Sequence, residues 1–366
     1  MDDTYKYPLA LTQQFRFCGN PFRLDFYRGC DFGCKYCFAN SRGGGYKQTF
    51  DYANFNIVEK QFKRAFDSDK PTKNINIELL RKKVPIHIGG MSDPFQKREF
   101  VLNLNYKMIK LSNKYRYPLI FSTKTAYLPD EYFDILNPEL HAFQISLFGY
   151  DLSFIRKYET NTPSAQERID FIKKLKQKGF WVSVRIQPLI DIEQALKLCK
   201  KIDGLVDYIT VEHLKIPTDN KNIRQLFEPI NKEQYYRPSS LRNFELKKDL
   251  KYQNIIKLKQ HVKQTKIGVG DNDLHYLSDS NCCCGIDTIN NNFNNYLKYN
   301  LTYFTTSKIN DKQKEDLFTP ESSVSSVFNH DTRIKGMNNF KDYVDTYCKN
   351  KNHFMCETCP LKSYYE

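Results

Sequence analysis

"FRLDFYRGCDFGCKYCFAN", Phe22 to Asn40, is the stretch from which the rest of the chain can be read. Apolar and polar residues alternate from Phe22 to Gly29, the period of a β-strand, and the strand runs directly into Cys30, Cys34 and Cys37. Three thiolates spaced C-x3-C-x2-C on one short loop can hold three corners of a cubic [4Fe–4S] cluster and leave its fourth iron open. An iron with an open position can bind and reduce a small ligand. The alternatives are a zinc site, which needs a fourth ligand from elsewhere in the chain, and three unrelated buried thiols.

Outward from the loop, "SRGGGY" brings the glycine run Gly43 to Gly45, and helical spacing predicts a helix over Phe55–Phe66. "VPIHIGGMSDPF" reads as a short buried strand, Val84 to Ile88, ended by Gly89 and Gly90. Helix and strand patterns then alternate: helix 100–111, strand 117–125, helix 130–136 and strand 141–148. Ser164 and Glu167 form a capping box that opens a helix with Ile169, Ile172 and Leu175 on one face, and Gly179 closes it. Strand 181–190, helix 193–201 and strand 206–214 follow.

Six strands alternating with helices through short loops predict parallel βαβ units. The expected fold is therefore α/β, a partial (β/α)6 TIM-like barrel with its chemistry at the C-terminal ends of the strands. Beyond Lys215 the pattern weakens, although 250–262 reads as a helix and "KIGVGDND" as one further strand. The predicted organisation is an N-terminal segment (1–19), the barrel (20–240) and a cysteine-rich C-terminal extension (241–366).

The chain has 366 residues, enough to bury a sizeable core. Its mean hydropathy is −0.64, and no apolar run approaches the length of a membrane span. The N-terminus lacks the basic-then-apolar order of a secretory signal. Eleven cysteines clustered in a long chain without such a signal point to metal or redox chemistry in a reducing compartment, so a cytoplasmic location is expected. The net charge of +14 suits a polyanion such as nucleic acid. AT-rich coding, which favours Lys, Asn, Ile, Tyr and Phe together, explains the same balance without a ligand.

"CDFGCKYCFAN" resembles the signature loop of the radical S-adenosylmethionine (SAM) superfamily, and the strand–helix alternation over roughly residues 20 to 215 looks like its partial barrel. "YETNTPSAQERIDFIKKLKQKGFWVSVRIQPLI" is similar to the stretch around the fourth helix and fifth strand in many members, and the third-strand "STK" with the overall layout looks most like the spore photoproduct lyase-like branch. The resemblance implies that Cys30, Cys34 and Cys37 each bind one iron and that the open iron chelates SAM. Reduction then releases a 5′-deoxyadenosyl radical that abstracts hydrogen from a substrate, with a flavodoxin- or ferredoxin-type electron donor.

The resemblance also implies roles residue by residue. Gly89 and Gly90 match the glycines that receive the methionine amino group, and Ser92 or Asp93 stands in for the acidic residue that Met91 displaces. Lys124 is placed like a cation for the methionine carboxylate, Ser146 like a ribose contact, and Arg185 or Gln187 within reach of either. Tyr36 and Phe38 flank Cys37, where adenine is contacted. The branch uses a hydrogen-donating cysteine inside the barrel; no cysteine lies between Cys37 and Cys199, so the same repair reaction is not expected.

A second cysteine set comprises Cys282 to Cys284, Cys348, Cys356 and Cys359. Cys284, Cys348, Cys356 and Cys359 are the expected ligands of a second [4Fe–4S] cluster or a zinc ion. Cys18 and Cys199 are isolated and read as structural. Glu212 and His213 close the sixth strand as a candidate substrate-positioning pair. The leading substrate is nucleic acid or a nucleotide; the alternatives are a peptide or protein substrate, and a zinc-stabilised nucleic-acid-binding protein without catalysis.

Overall fold

A computed structural model describes residues 5–12, 18–41, 51–72, 74–217, 234–236, 243–280 and 282–293. Cys348, Cys356 and Cys359 lie outside the described residues. The strands are β1 (Leu9–Leu11), β2 (Phe22–Leu24), β3 (Ile86–Ile88), β4 (Leu119–Thr123), β5 (His141–Ser146), β6 (Val182–Leu189), β7 (Tyr208–His213), β8 (Lys215–Pro217), β9 (Tyr235–Tyr236), β10 (Asn243–Leu246) and β11 (Lys266–Val269). One eight-stranded sheet has the order β1-β2-β3-β4-β5-β6-β7-β11. Every pairing in it is parallel except β1 with β2.

This is the expected partial TIM-like α/β fold, with two strands more than the six of the barrel reading. β11 is the further strand read from "KIGVGDND". It pairs with β7 and carries the sheet past the predicted break at residue 240. β8, β10 and β9 form a separate antiparallel sheet.

Helices α1 (Phe55–Phe66), α2 (Ile75–Arg81), α3 (Glu99–Leu102), α4 (Leu104–Tyr115), α5 (Asp130–Ile135), α6 (Leu152–Tyr158), α7 (Ala165–Gln177), α8 (Ile192–Ile202) and α9 (Lys248–His261) complete the described layers. The capping box of α7 is formed as predicted. The helix expected over 100–111 is broken at Asn103, which has φ +55°. The cause is Glu99, a buried carboxylate that accepts hydrogen bonds from the backbone N–H groups of Asn105 (3.0 Å) and Tyr106 (2.9 Å). It thereby caps the N-terminus of α4, where free donors and the helix dipole favour a negative group.

Strand side chains alternate between the helix-facing core and the barrel lumen. Phe121, Phe143, Val184, Ile186, Ile209 and Val211 pack into the main core under the helices. Ile120 and Ala142 face the other way, where they meet Cys282, Ile286 and Phe293 from the chain after β11. That segment is fastened inside the lumen by Trp181 Nε1 to Thr288 Oγ1 (3.2 Å), Tyr208 Oη with Ser280 Oγ (2.7 Å) and Gln144 Nε2 to the Cys284 carbonyl (3.4 Å).

Candidate active site at the strand ends

The three loop cysteines follow β2, at the same end of the sheet as the segments that follow β3, β4 and β5. Cys34 is buried; Cys30 and Cys37 are half-buried. The loop is held down by residues far along the chain. Cys34 forms a β-bridge with Glu159, Lys35 N–H donates to the Tyr158 carbonyl at 2.9 Å, and the Tyr36 hydroxyl donates to Glu159.

Glu159 is fully buried and pairs with Lys124 Nζ at 3.1 Å and Arg168 Nη2 at 2.7 Å. Burial raises its pKa, but Lys124 and Arg168 outweigh that and hold it at about 2. Arg168 also donates to the Ser146 carbonyl at 2.7 Å, tying the end of β5 to the same anchor. Neither Glu159 nor Arg168 was picked out by sequence reasoning. Glu159 stands just past α6 with no motif around it, and Arg168 reads as the solvent face of an amphipathic helix.

The segment after β3 is built on backbone constraint. Gly89 has φ +99°, and a Cβ there would sit 2.2 Å from the Ser122 carbonyl oxygen, so only glycine fits. Met91 N–H donates to Asp25 Oδ1 at 2.8 Å, and Ser92 Oγ to the Tyr27 carbonyl at 2.8 Å. Asp93 accepts from Thr123 Oγ1 (2.7 Å), Lys124 N–H (2.6 Å) and Phe95 N–H (3.0 Å). The structure thus brings Gly89, Gly90, Ser92 and Asp93 together beside Cys30, whose sulfur accepts from the N–H groups of Asp93 and Phe32.

Lys124 lies beside Cys34 and over the Tyr36 ring, 5.5 Å from its centroid. Burial lowers its pKa, yet Glu159 and Cys34 hold it above the ordinary lysine range. Tyr36 packs edge-on to Phe148 at 5.3 Å, whereas Phe38 is about half exposed. Tyr36 is therefore bound into the core and Phe38 lies at the rim.

A polar belt crosses the lumen below. His87 Nε2 meets Ser122 Oγ at 2.6 Å, Ser122 donates to Gln144 Oε1 at 3.0 Å, and Arg185 Nη1 reaches Ser122 Oγ at 3.2 Å. Arg185 also bonds Gln187, Gln187 bonds Glu212, and Lys215 Nζ closes the row on Glu212 Oε1 at 2.6 Å. Burial first, then Arg185 and Arg23, push the His87 pKa down to about 3, so its ring is neutral at ordinary pH. Ser146, Arg185 and Gln187 fall on neighbouring strands; the sequence missed His87, Ser122 and Gln144, which resemble ordinary strand residues.

The pair Glu212–His213 is divided by strand alternation. Glu212 joins the belt, while His213 is buried against Asp271 (2.7 Å from Nδ1) and Asn254 (3.2 Å from Nε2). His213 is thus a core residue between β7 and α9.

The donor set of the loop fits an iron–sulfur cluster. Its three thiols are within electrostatic reach of one another, and backbone N–H groups point at the Cys30 sulfur, as they do where sulfur ligates iron. Among the described residues no three His, Cys, Asp or Glu side chains gather to hold a single metal ion. A cluster that takes one thiolate per iron does not require that they should.

Residues 24–199 match the family model of the Radical SAM superfamily. Uncharacterized protein Mb2609c of Mycobacterium bovis and Rv2578c of Mycobacterium tuberculosis are each 26% identical over 196 residues, 50% of this chain and 53% of theirs. The chain spans about half the length of these curated relatives. Among solved structures, a spore photoproduct lyase mutant aligns with a TM-score of 0.52 at 14% identity, covering 70% of this chain and 79% of that one. Another, with bound AdoMet and dinucleoside spore photoproduct, aligns with a TM-score of 0.50 at 16% identity and the same coverage. These similarities show a common fold. Among the described residues no helix is long and apolar enough to cross a membrane.

Proposed function

We propose that residues 24–199, which match the family model of the Radical SAM superfamily, form a radical SAM domain, and that the protein is an enzyme of that class which abstracts hydrogen from a nucleic acid or nucleotide. Cys30, Cys34 and Cys37 would hold a [4Fe–4S] cluster. With SAM bound, such a cluster supplies the electron that splits SAM into methionine and a 5′-deoxyadenosyl radical.

The observation that carries this reading is the anchoring of the loop. A buried Glu159, met by Lys124, Arg168 and Tyr36, fixes three thiols over the C-terminal ends of a parallel sheet, where such barrels place their chemistry. Gly89 and Gly90 offer backbone to a SAM amino group beside Cys30, with Ser92 and Asp93 bonded beneath as supports. Ser146, Arg185 and Gln187 line the lumen toward the ribose and carboxylate. Tyr36 and Phe38 flank the adenine position.

The substrate class rests on the charge of +14, which favours phosphate-rich ligands, and on the dinucleoside that a lyase of the same fold carries.

Anaerobic reconstitution should load about four irons on the N-terminal loop, and the reduced protein should convert SAM to 5′-deoxyadenosine and methionine. Cys34→Ala should abolish that cleavage. If the variant still cleaves SAM, the loop is not the reaction centre and the reading fails.

A further inference from the structure

Two arginines enter the barrel lumen with no carboxylate bound to either. Arg23 stands between Phe22 and Leu24, and Arg185 between Val184 and Ile186. Those four neighbours pack in the main core, so both arginines take the lumen face. His87 lies between them: it is the partner of Arg23 across β2 and β3, and both guanidiniums are within electrostatic reach of its ring. All three side chains are only half-buried although they point inside the barrel, so open space adjoins them.

Buried charge normally finds a counter-charge, and the nearby carboxylates are committed elsewhere. Asp25 accepts from the backbone N–H groups of Gly90, Met91 and Ser92. Glu212 is held by Gln187 and Lys215. Arg23 forms no hydrogen bond or salt bridge with any described residue. Arg185 spends Nη1 on Ser122 (3.2 Å) and Nη2 on Gln187, which leaves Nε buried and unbonded among the described residues. Cys18 and Cys284 are within electrostatic reach of Arg185 without hydrogen-bonding to it.

Two hydroxyls on the same face are also unsatisfied. Thr210 is the partner of Arg185 across β6 and β7, and Ser183 lies two residues before Arg185 on β6. Ser183 is fully buried and Thr210 is 3% exposed, yet neither hydroxyl has a hydrogen-bond partner among the described residues. Buried polar groups are normally satisfied. Two guanidiniums and two hydroxyls, drawn from three strands, thus wall a place for a group rich in negative acceptor oxygens. A carboxylate is flat, and one guanidinium fork satisfies its two oxygens. A phosphate offers three outer oxygens and up to two charges, which suits a pair of arginines.

We propose that Arg23, Arg185, Ser183 and Thr210 form an oxyanion site in the lumen that holds the phosphate of a nucleotide unit of the substrate. The site rests on the nucleotide reading given above and gives one phosphate its own donors, where net charge offers only a general attraction. Phosphate contacts position a nucleotide without reading its base, so this site fixes how the sugar and base sit below the strand ends.

Equilibrium dialysis of the full chain against nucleoside 5′-monophosphates, the matching nucleosides and inorganic phosphate tests the site. The monophosphates should bind roughly tenfold more tightly than the nucleosides or than phosphate alone. That comparison needs no substitution. Arg23→Gln should weaken monophosphate binding by roughly tenfold or more, and nucleoside binding far less. Thr210→Val, which keeps the shape of the side chain and removes its hydroxyl, should act in the same direction with a smaller loss. Lys63→Gln, on the exposed side of α1, should have no effect.

Monophosphates that bind no better than nucleosides, or that keep full affinity for Arg23→Gln, would overturn the proposal. If inorganic phosphate alone binds as tightly as a monophosphate, the site serves the free ion and its assignment to a substrate fails. If Arg23→Gln loses SAM affinity as steeply as nucleotide affinity, the arginines serve the SAM carboxylate, and the proposal fails as well. SAM cleavage by the unsubstituted chain without nucleotide reports on Cys30, Cys34 and Cys37 separately, so this site can fail while the radical chemistry stands.

Discussion

Glu159 divides its two oxygens between opposite partners: Tyr36 and Lys124 on one, Arg168 and Thr162 on the other. A fully buried carboxylate persists where its charge is matched this completely, and removing it strands the buried Arg168 and the half-buried Lys124. Glu159→Gln should therefore cost about 3–5 kcal/mol in urea unfolding. Because the loop is hung from this residue, iron incorporation should drop with it. An unchanged urea midpoint would mean that the anchor is not needed. Lys124→Gln separates anchoring from ligand binding, since it leaves the Glu159–Arg168 pair intact. If Lys124 also meets the SAM carboxylate, this variant should weaken SAM binding more than it lowers stability, and equilibrium binding beside urea melts measures both. At Gly89, Ala would adopt a positive φ and press a methyl group into the Ser122 carbonyl. Gly89→Ala should lose at least ~1 kcal/mol, checked by the same melts.

Between elements, the plainest pH-sensitive contact is His141 at the start of β5, fully buried against α4. Its Nδ1 accepts from the Asn137 N–H at 2.8 Å, and Nε2 meets Ser112 Oγ at 3.0 Å. Burial pushes its pKa from 6.5 down to about 3. A group whose folded pKa is depressed in this way adds stability in full above pH 6.5, and that stability is lost as pH falls toward 3. The slope contributed is on the order of 1.4 kcal/mol per pH unit. His87 adds a similar slope, so the informative quantity is the difference between the wild type and His141→Asn in urea midpoints from pH 7 to pH 4. Curves that run parallel would show that the histidine is not held neutral. Elements with a local signal were legible in sequence: the capping box of α7, the alternating strands β4 to β7, the C-x3-C-x2-C loop. What escaped was non-local. The break at Asn103 depends on Glu99 turning back to cap α4, and β1 gains its identity from pairing with β2. Glu212 and His213 looked like a pair because sequence adjacency hides the alternation that sends them to opposite faces.

Over the whole molecule, the charge of +14 has two explanations, nucleic-acid affinity and coding bias, and they predict different responses to salt. Among the described residues, four exposed lysines are engaged in ion pairs: Lys63 with Glu59, Lys173 with Asp170, Lys197 with Asp151 and Lys257 with Glu193. Such pairs contribute little to stability and attract few phosphates. A basic surplus scattered by coding bias would give weak and diffuse binding. A surplus arranged along a track for a strand would release one counterion per phosphate contacted, so that log affinity falls linearly with log salt. The substrate proposal therefore requires that the full chain bind single-stranded oligonucleotides with a steep negative slope. Six or more phosphate contacts correspond to a loss of about a thousandfold between 50 and 200 mM salt, measurable by fluorescence anisotropy. A shallow slope, or equal affinity for any acidic polymer of the same charge density, would remove the nucleic-acid substrate while leaving the SAM chemistry at Cys30, Cys34 and Cys37 untouched.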